Sequence, residues 1–383
     1  VLVGRLFFLQ IIDKSDLQAK NLSQVQVDRK LQSPRGTIYD RNGRPLAMSV
    51  VTKSLYADPK MIDRPIDEIA DLIEPYVTMA KGDIVKSLQE DTAFVWIDRM
   101  MEPEKSKAIA QLIKDKKLKG LNFVEESKRY YPNGNLAAQV LGFVGTDDKG
   151  LDGLEMVLDD ELKGGIQKEL VATDRNGNAI FGSVLSKYLP DKGKSVTLTI
   201  DASIQFIAER ALDKAMEDTG AKHASVIVMD PKSGEILAMA NRPTYDPNHY
   251  SQSSDEAFKN IAVTNLYEPG STFKPLIASA ALASGKWKLD QVYNDKGTFV
   301  ANGHVMQNWN GEGYGPVKLI DILKFSINTG MAEIGTTTGA DILSKYVRDY
   351  GFGSTTGIEL PGEGAGILYE PEDMSKLDVA TMS

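Results

Sequence analysis

Glu268-Pro269-Gly270-Ser271-Thr272-Phe273-Lys274-Pro275 opens an apolar stripe (Phe273, Leu276, Ile277, Ala280, Ala281) that repeats at helical spacing and stops at Gly285. The stretch predicts a helix with Pro275 in its first turn, where a missing N–H removes no helix bond. Ser271 then stands at the helix N-terminus, with Lys274 one turn on along the same face. A serine hydroxyl becomes a useful nucleophile only when a base takes its proton. Lysine supplies that base if desolvation or nearby positive potential keeps its amine neutral. The helix N-terminus adds positive potential where an oxyanion would form. The apolar turns after Lys274 predict a dry floor. The same letters fit a serine cap beside a surface lysine, and Ser-x-x-Lys alone favours that plainer reading.

A second element changes the balance. Ser326-Ile327-Asn328 lies 55 residues after Ser271, behind a helical run from Val317 to Phe325 and ahead of Thr329-Gly330. A hydroxyl and an amide on one short loop could relay a proton to Lys274 and hold a peptide backbone. Alone it reads as a helix-end cap. The pair, in this order, matches the set Ser-x-x-Lys then Ser-x-Asn.

Further out, the chain divides into two textures. From Asp191 onward, Val196, Leu198 and Ile200 alternate with Ser195, Thr197 and Thr199. Asp201 caps a helix whose stripe is Ile204, Ile207, Ala208, Ala211 and Leu212. A hairpin follows, Ser225–Met229 and Glu235–Ala240 around a turn at Asp230 to Gly234. This order predicts an α+β domain with an antiparallel sheet packed with helices. Before it, Ser33 to Val50 carries two turn signals around the short β-type runs Gly36–Tyr39 and Pro45–Ala47. Asp67 to Lys119 reads as mostly helical, Arg129 to Gly134 as a turn after a strand, and 151–163 as one helix closed by a left-handed cap at Gly164-Gly165. Residues 13–32 are polar and helix-friendly. The first twelve, VLVGRLFFLQII, are too few to cross a bilayer, which takes about 20 apolar residues, and read as the trailing end of a membrane anchor.

Composition narrows the chemistry. The 383 residues suffice for two domains. A formal charge of −9 argues against a nucleic-acid binder. The absence of cysteine excludes disulfides and thiolate chemistry, and three scattered histidines (His223, His249, His304) argue against a zinc site or a Ser-His-Asp triad. The reading implies no metal or cofactor.

The whole pattern resembles a class B penicillin-binding protein of the division or sporulation type. Arg35-Gly36-Thr37-Ile38-Tyr39-Asp40-Arg41-Asn42-Gly43 is similar to the opening motif of that family's non-catalytic pedestal, or dimerisation-type, domain. Arg129-Tyr130-Tyr131-Pro132 and Gly153-Leu154-Glu155 resemble its later motifs, and Asn241 to Asn248 resembles the segment leading to the nucleophile helix. The resemblance implies a pedestal over 33–187 and a transpeptidase domain over 188–383, after an anchor stub and connector over 1–32. It implies that Ser271 attacks the D-alanyl-D-alanine carbonyl of a peptidoglycan stem peptide and that Lys274 is general base. Ser326 would shuttle the proton to the leaving group, Asn328 would bind the donor amide, and the Ser271 N–H would form half of an oxyanion hole. β-Lactam antibiotics would acylate the same serine. The implied partners are a membrane glycosyltransferase and divisome-type proteins, and the implied setting is the cell membrane with the catalytic domain extracytoplasmic.

Three departures stand out. No Lys-Thr-Gly or Lys-Ser-Gly follows Asn328; Thr337-Thr338-Gly339 and Thr355-Thr356-Gly357 lack the lysine, and Lys232-Ser233-Gly234 precedes the nucleophile in a hairpin turn. The expectation is therefore a chain cut short inside its catalytic domain. Ile327 stands where the family more often has serine or aspartate, and the anchor is only a stub. Arg35, Arg41, Arg129, Asp40 and Glu155 are expected to form one charged cluster orienting the pedestal. The competing readings are a D,D-carboxypeptidase, a β-lactamase, and a catalytically silent scaffold that recruits division or sporulation partners.

Overall fold

A computed structural model describes residues 26–172 and 193–383, with side chains from 33–165 and 193–383. The expected anchor stub, most of the connector and the expected junction at 187/188 lie outside the described residues. Among those described, no helix is long and apolar enough to cross a membrane. The chain forms two compact units, divided between Ala262 and Val263.

The first unit is built on a long strand, β3 (Pro45–Ala57), that follows β1 (Gln26–Gln32) and β2 (Ile38–Tyr39). β3 pairs antiparallel with β5 (Leu121–Tyr130) from Met48↔Tyr130 to Ala57↔Leu121, and with β2 and β4 (Val95–Met101) on its other edge. β2 in turn pairs in parallel with β7 (Val196–Thr197). The helices α1 (Ile66–Ile73), α2 (Lys81–Leu88) and α3 (Pro103–Lys116) bury Ile69, Ile73, Ile84, Leu88 and Ile109 against Leu55, Ile97 and Leu121. The mostly helical reading of this stretch missed β4, whose Val95-Trp96-Ile97 run is too short to be told from a helix by period alone. Residues 26–32 correct the helix-friendly reading of the connector: β1 pairs antiparallel with β6 (Ile166–Ala172), a partner far along the chain that no local pattern announces.

Residues 151–163 also differ from expectation. They form two short helices, α4 (Gly153–Val157) and α5 (Asp159–Leu162), and Gly164 is not left-handed. Gly164 is there for room: a Cβ would sit 2.3 Å from the Ser33 carbonyl oxygen. This segment carries Glu155 into the interior. Its carboxylate receives Arg35 Nε at 2.7 Å and Arg129 Nε at 2.6 Å, with the Glu155 and Arg35 side chains fully buried. Arg35 also donates to the Asp159 carboxylate at 2.6 Å and to the Glu155 carbonyl at 2.6 Å. Asp40 and Arg41 are not part of this cluster, contrary to expectation. Asp40 closes its own turn through the Asn42 and Arg44 N–H groups and receives the Ala202 N–H, while Arg41 makes an exposed 3.3 Å pair with Glu235.

The unit continues into α6 (Ala202–Thr219) and the hairpin of β8 (Ala224–Met229) and β9 (Ile236–Arg242). Asp201 caps α6 through the Ser203 and Ile204 N–H groups, as expected. The buried face is Gln205, Ala208, Glu209 and Leu212; Ile207, expected inside, is 66% exposed. Gln205 takes the inward place because its amide pairs with both backbone groups of Met239, at 2.8 Å each. Two of the sequence motifs meet here: Asn248 accepts from the Tyr131 N–H and donates to its carbonyl, each at 3.0 Å. The Lys232-Ser233-Gly234 triplet lies in the β8–β9 turn, with Gly234 at φ +79°.

The second unit packs α7 (Lys274–Ala283), α8 (Leu319–Lys324), α9 (Asn328–Thr338), α10 (Ala340–Asp349) and α11 (Lys376–Met382) around one core. Ile277, Ile322, Ile327, Met331, Ile334 and Leu343 are fully buried in it. Two ribbons, β10 (Val292–Asp295) with β13 (Gly315–Lys318) and β11 (Thr298–Ala301) with β12 (His304–Gln307), complete the unit. α9 is its central helix, buried on nearly every side; at Gly330 a Cβ would come within 2.9 Å of the Ile322 side chain.

The Glu155 cluster sets a stability test. Removing one member of a buried pair leaves uncompensated charge and costs about 3–5 kcal/mol. Glu155→Gln is expected to lose about that much in urea unfolding followed by circular dichroism, whereas Arg41→Ala, in an exposed pair, should change stability by less than about 1 kcal/mol.

Candidate active site

The site belongs to the second unit. Ser271 lies in a 3-10 turn, Gly270–Phe273, that runs directly into α7, and Pro275 occupies the first turn of the helix. Ser271 is exposed, whereas Lys274 is only 6% exposed. The serine therefore faces solvent at the mouth of a site whose lysine is sunk into the core side.

α8 brings the second element over Lys274. It ends in a left-handed residue, Ser326 at φ +54°, with Ile327 N–H donating back to the Ile322 carbonyl at 2.9 Å. Glycine is the usual occupant of such a helix-ending position, because a side chain there costs about 1 kcal/mol. A strained serine kept at that place is the kind of outlier that marks a functional site. The expectation of one short loop shared by Ser326 and Asn328 is not met: Asn328 is the first residue of α9. The physical reason is that the chain turns sharply at Ser326 and restarts a helix after one extended residue, Ile327, which is fully buried as an anchor.

The four expected site residues are brought together. Lys274 Nζ lies 3.0 Å from Ser326 Oγ, 3.0 Å from the Ser326 carbonyl oxygen and 2.7 Å from Asn328 Oδ1. Ser326 Oγ lies 3.0 Å from Ser271 Oγ. One hydroxyl thus bridges the serine and the amine. Burial pushes the Lys274 amine below the ordinary lysine range, and among the described residues it makes no ion pair that would reverse this. A lysine held by three neutral acceptors is one that can give up its proton.

Sequence reasoning missed a layer beneath these residues. Asn328 Nδ2 donates to the Gln307 carbonyl at 3.1 Å, and Thr329 N–H donates to Asn308 Oδ1 at 3.2 Å. The buried carboxylate of Asp295 accepts from the Thr329 hydroxyl at 2.6 Å and Asn308 Nδ2 at 2.8 Å. Burial opposes its charge, but the donors, with the Thr329 hydroxyl foremost, hold it below the usual carboxylate range. Asp295 and Asn308 stand at the ends of short strands with no motif around them, so only the fold reveals them. Among the described residues no group of His, Asp or Glu side chains could hold a metal ion.

Comparison with known proteins places this site in a family. Residues 30–198 match the penicillin-binding protein dimerisation domain, and residues 224–383 match the penicillin-binding protein transpeptidase domain. The chain is 34% identical over its full length to PenA of Neisseria gonorrhoeae, spanning 65% of that protein. It is 30% identical over its full length to the peptidoglycan D,D-transpeptidase FtsI of Buchnera aphidicola, spanning 67% of it. Its fold is similar to the crystal structure of penicillin-binding protein 2X from Streptococcus thermophilus, with a TM-score of 0.69 and 26% identity over 92% of this chain and 56% of that one. With an α+β fold, two matched domains in the expected order and relatives aligned along the whole of this chain, the chain belongs to the class B penicillin-binding proteins.

Proposed function

We propose that this chain is a serine-type peptidoglycan D,D-transpeptidase that cross-links stem peptides through an acyl-enzyme on Ser271. The observation that carries the reading is the single Ser326 hydroxyl lying 3.0 Å from both Ser271 Oγ and Lys274 Nζ. With Lys274 neutral, the Ser271 proton passes to Ser326 while Ser326 passes its own to Lys274, and Ser271 Oγ bonds to the D-alanyl-D-alanine carbonyl. Lys274 returns the proton through Ser326 to the departing D-alanine amine. The amine of a neighbouring stem then attacks the ester carbonyl; its proton passes through Lys274 and Ser326 to Ser271 Oγ as the ester bond breaks, releasing Ser271 and leaving a new amide. Water in place of that amine gives a D,D-carboxypeptidase side reaction. Asn328, fixed between Lys274 and the Gln307 carbonyl, is assigned to the donor peptide amide.

A β-lactam presents an equivalent amide carbonyl, strained by its four-membered ring, and leaves a stable ester on Ser271. The family's membership supports a setting at the cell membrane with this unit outside the cytoplasm. We read 33–187 as the pedestal and 188–383 as the transpeptidase domain; the two family matches, over 30–198 and 224–383, support that order. A silent scaffold is less well supported, because all four polar groups of the relay are present and in contact.

Intact mass spectrometry after incubation with a penicillin tests the reading directly. One drug adduct is expected on the wild-type protein and none on Ser271→Ala; an adduct that survives in Ser271→Ala, or no adduct on the wild type, sinks it. Lys274→Arg, which keeps the charge but cannot release a proton at accessible pH, should abolish the adduct. In the wild type the acylation rate should rise with pH as Lys274 loses its proton, with a midpoint below the ordinary lysine range. Ser326→Gly removes the bridging hydroxyl and the left-handed strain together. It should gain about 1 kcal/mol in thermal or urea unfolding while acylation falls by about a hundredfold or more.

A further inference from the structure

We propose that Asp295 is a positioning residue for acyl transfer, holding the Ser326-Ile327-Asn328 turn from both sides and so setting the acceptors that grip Lys274. The inference rests on the serine–lysine reading above. Asp295 is 3% exposed, and among the described residues no cation pairs with it. Each of its oxygens takes two donors. Oδ1 accepts from the Thr329 hydroxyl at 2.6 Å and the Gly297 N–H at 2.9 Å; Oδ2 accepts from Asn308 Nδ2 at 2.8 Å and the Tyr314 N–H at 2.9 Å. A carboxylate has about four acceptor positions, so the site fills them.

Three of these four contacts, those of Thr329, Asn308 and Tyr314, reach the turn by separate routes. On the far side, Thr329 directly follows Asn328, and its N–H is held by Asn308 Oδ1 at 3.2 Å. Because Asp295 can only accept, it obliges Asn308 to turn its NH2 inward and its carbonyl oxygen toward Thr329. The residue before Asn308, Gln307, takes the Asn328 amide through its carbonyl. On the near side, the Tyr314 ring stacks on Phe325 with centroids 5.6 Å apart and planes 21° from parallel. Phe325 immediately precedes Ser326. A shift of Asp295 therefore moves both Ser326 and Asn328, the residues that contact Lys274. A buried charge without a counter-ion is an expensive way merely to join strands, which points to orientation as its use.

Thr329→Val removes one donor while keeping shape and β-branching. Its Ser271 acylation by a fluorescent penicillin should slow by about tenfold to a hundredfold, the size of effect that a small misplacement produces. The acid limb of the acylation–pH profile should move to higher pH, because a loosened turn admits water to Lys274. Lys274 makes no ion pair among the described residues; near Asp295 the Tyr293 phenol is pushed up by burial, with the Thr329 hydroxyl opposing the rise and the Asp295 and Glu333 charges adding to it. Thr329→Ser, which restores the donor, should recover both rate and limb. Asp295→Asn, which places an NH2 against two donors, should show the larger loss and the same displacement. Wild-type rate and an unmoved limb in Thr329→Val would overturn the inference. So would slowing that only tracks the unfolded fraction measured by circular dichroism. A wild-type protein with no adduct on Ser271 would instead overturn the serine–lysine reading beneath it.

Discussion

Everything in the second unit turns on a buried amine that has no counter-charge among the described residues. Lys274 sits on the first turn of α7 with its stem against the core and its nitrogen among three neutral oxygens. A carboxylate at that distance would hold the proton on the amine; neutral acceptors orient it without doing so. The rest of the unit supplies this arrangement. The apolar run behind Lys274 excludes water, α8 delivers the carbonyl and hydroxyl of Ser326, and α9 delivers Asn328. Ile277, Ile322 and Ile327, all fully buried, lock those three helices to one another. Truncating any of them to alanine removes packing worth roughly 2–5 kcal/mol and loosens the site with it.

The first unit uses buried charge in the opposite way. Glu155 carries two guanidinium partners, and the Asp159 carboxylate lies beside the first of them. Each Glu155 oxygen takes a guanidinium, so these groups join distant segments, from Arg35 through Arg129 to Asp159. The contrast between a carboxylate held by two guanidiniums and a lysine held, among the described residues, by neutral oxygens separates the structural motifs from the chemical ones, although both were visible as polar residues in the sequence.

Much of this was legible before any coordinates. Pro275 and the apolar stripe behind it set the nucleophile helix, and Asp201 and the Asp230–Gly234 turn set α6 and the hairpin. These are local signals, in which a residue's neighbours decide its conformation. What escaped was non-local. β1 becomes a strand only because β6 lies beside it, and Gln205 is buried because the edge of β9 offers it two backbone partners. Gly164 is explained by the approach of Ser33, not by a helix cap. Asp295 and Asn308 carry no motif at all. The left-handed turn at Ser326 was foreshadowed only by its place after a helix, where glycine would have been the plainer choice.

The claim that burial readies Lys274 to act as base is open to direct titration. The Lys274 amine, followed by carbon NMR in lysine-labelled protein and assigned by its absence in Lys274→Arg, should titrate below the ordinary lysine range. It should do so without titration of the surface lysines being displaced. A Lys274 amine that titrates at or above the ordinary lysine value would contradict the account, because Ser271 would then have no base within reach.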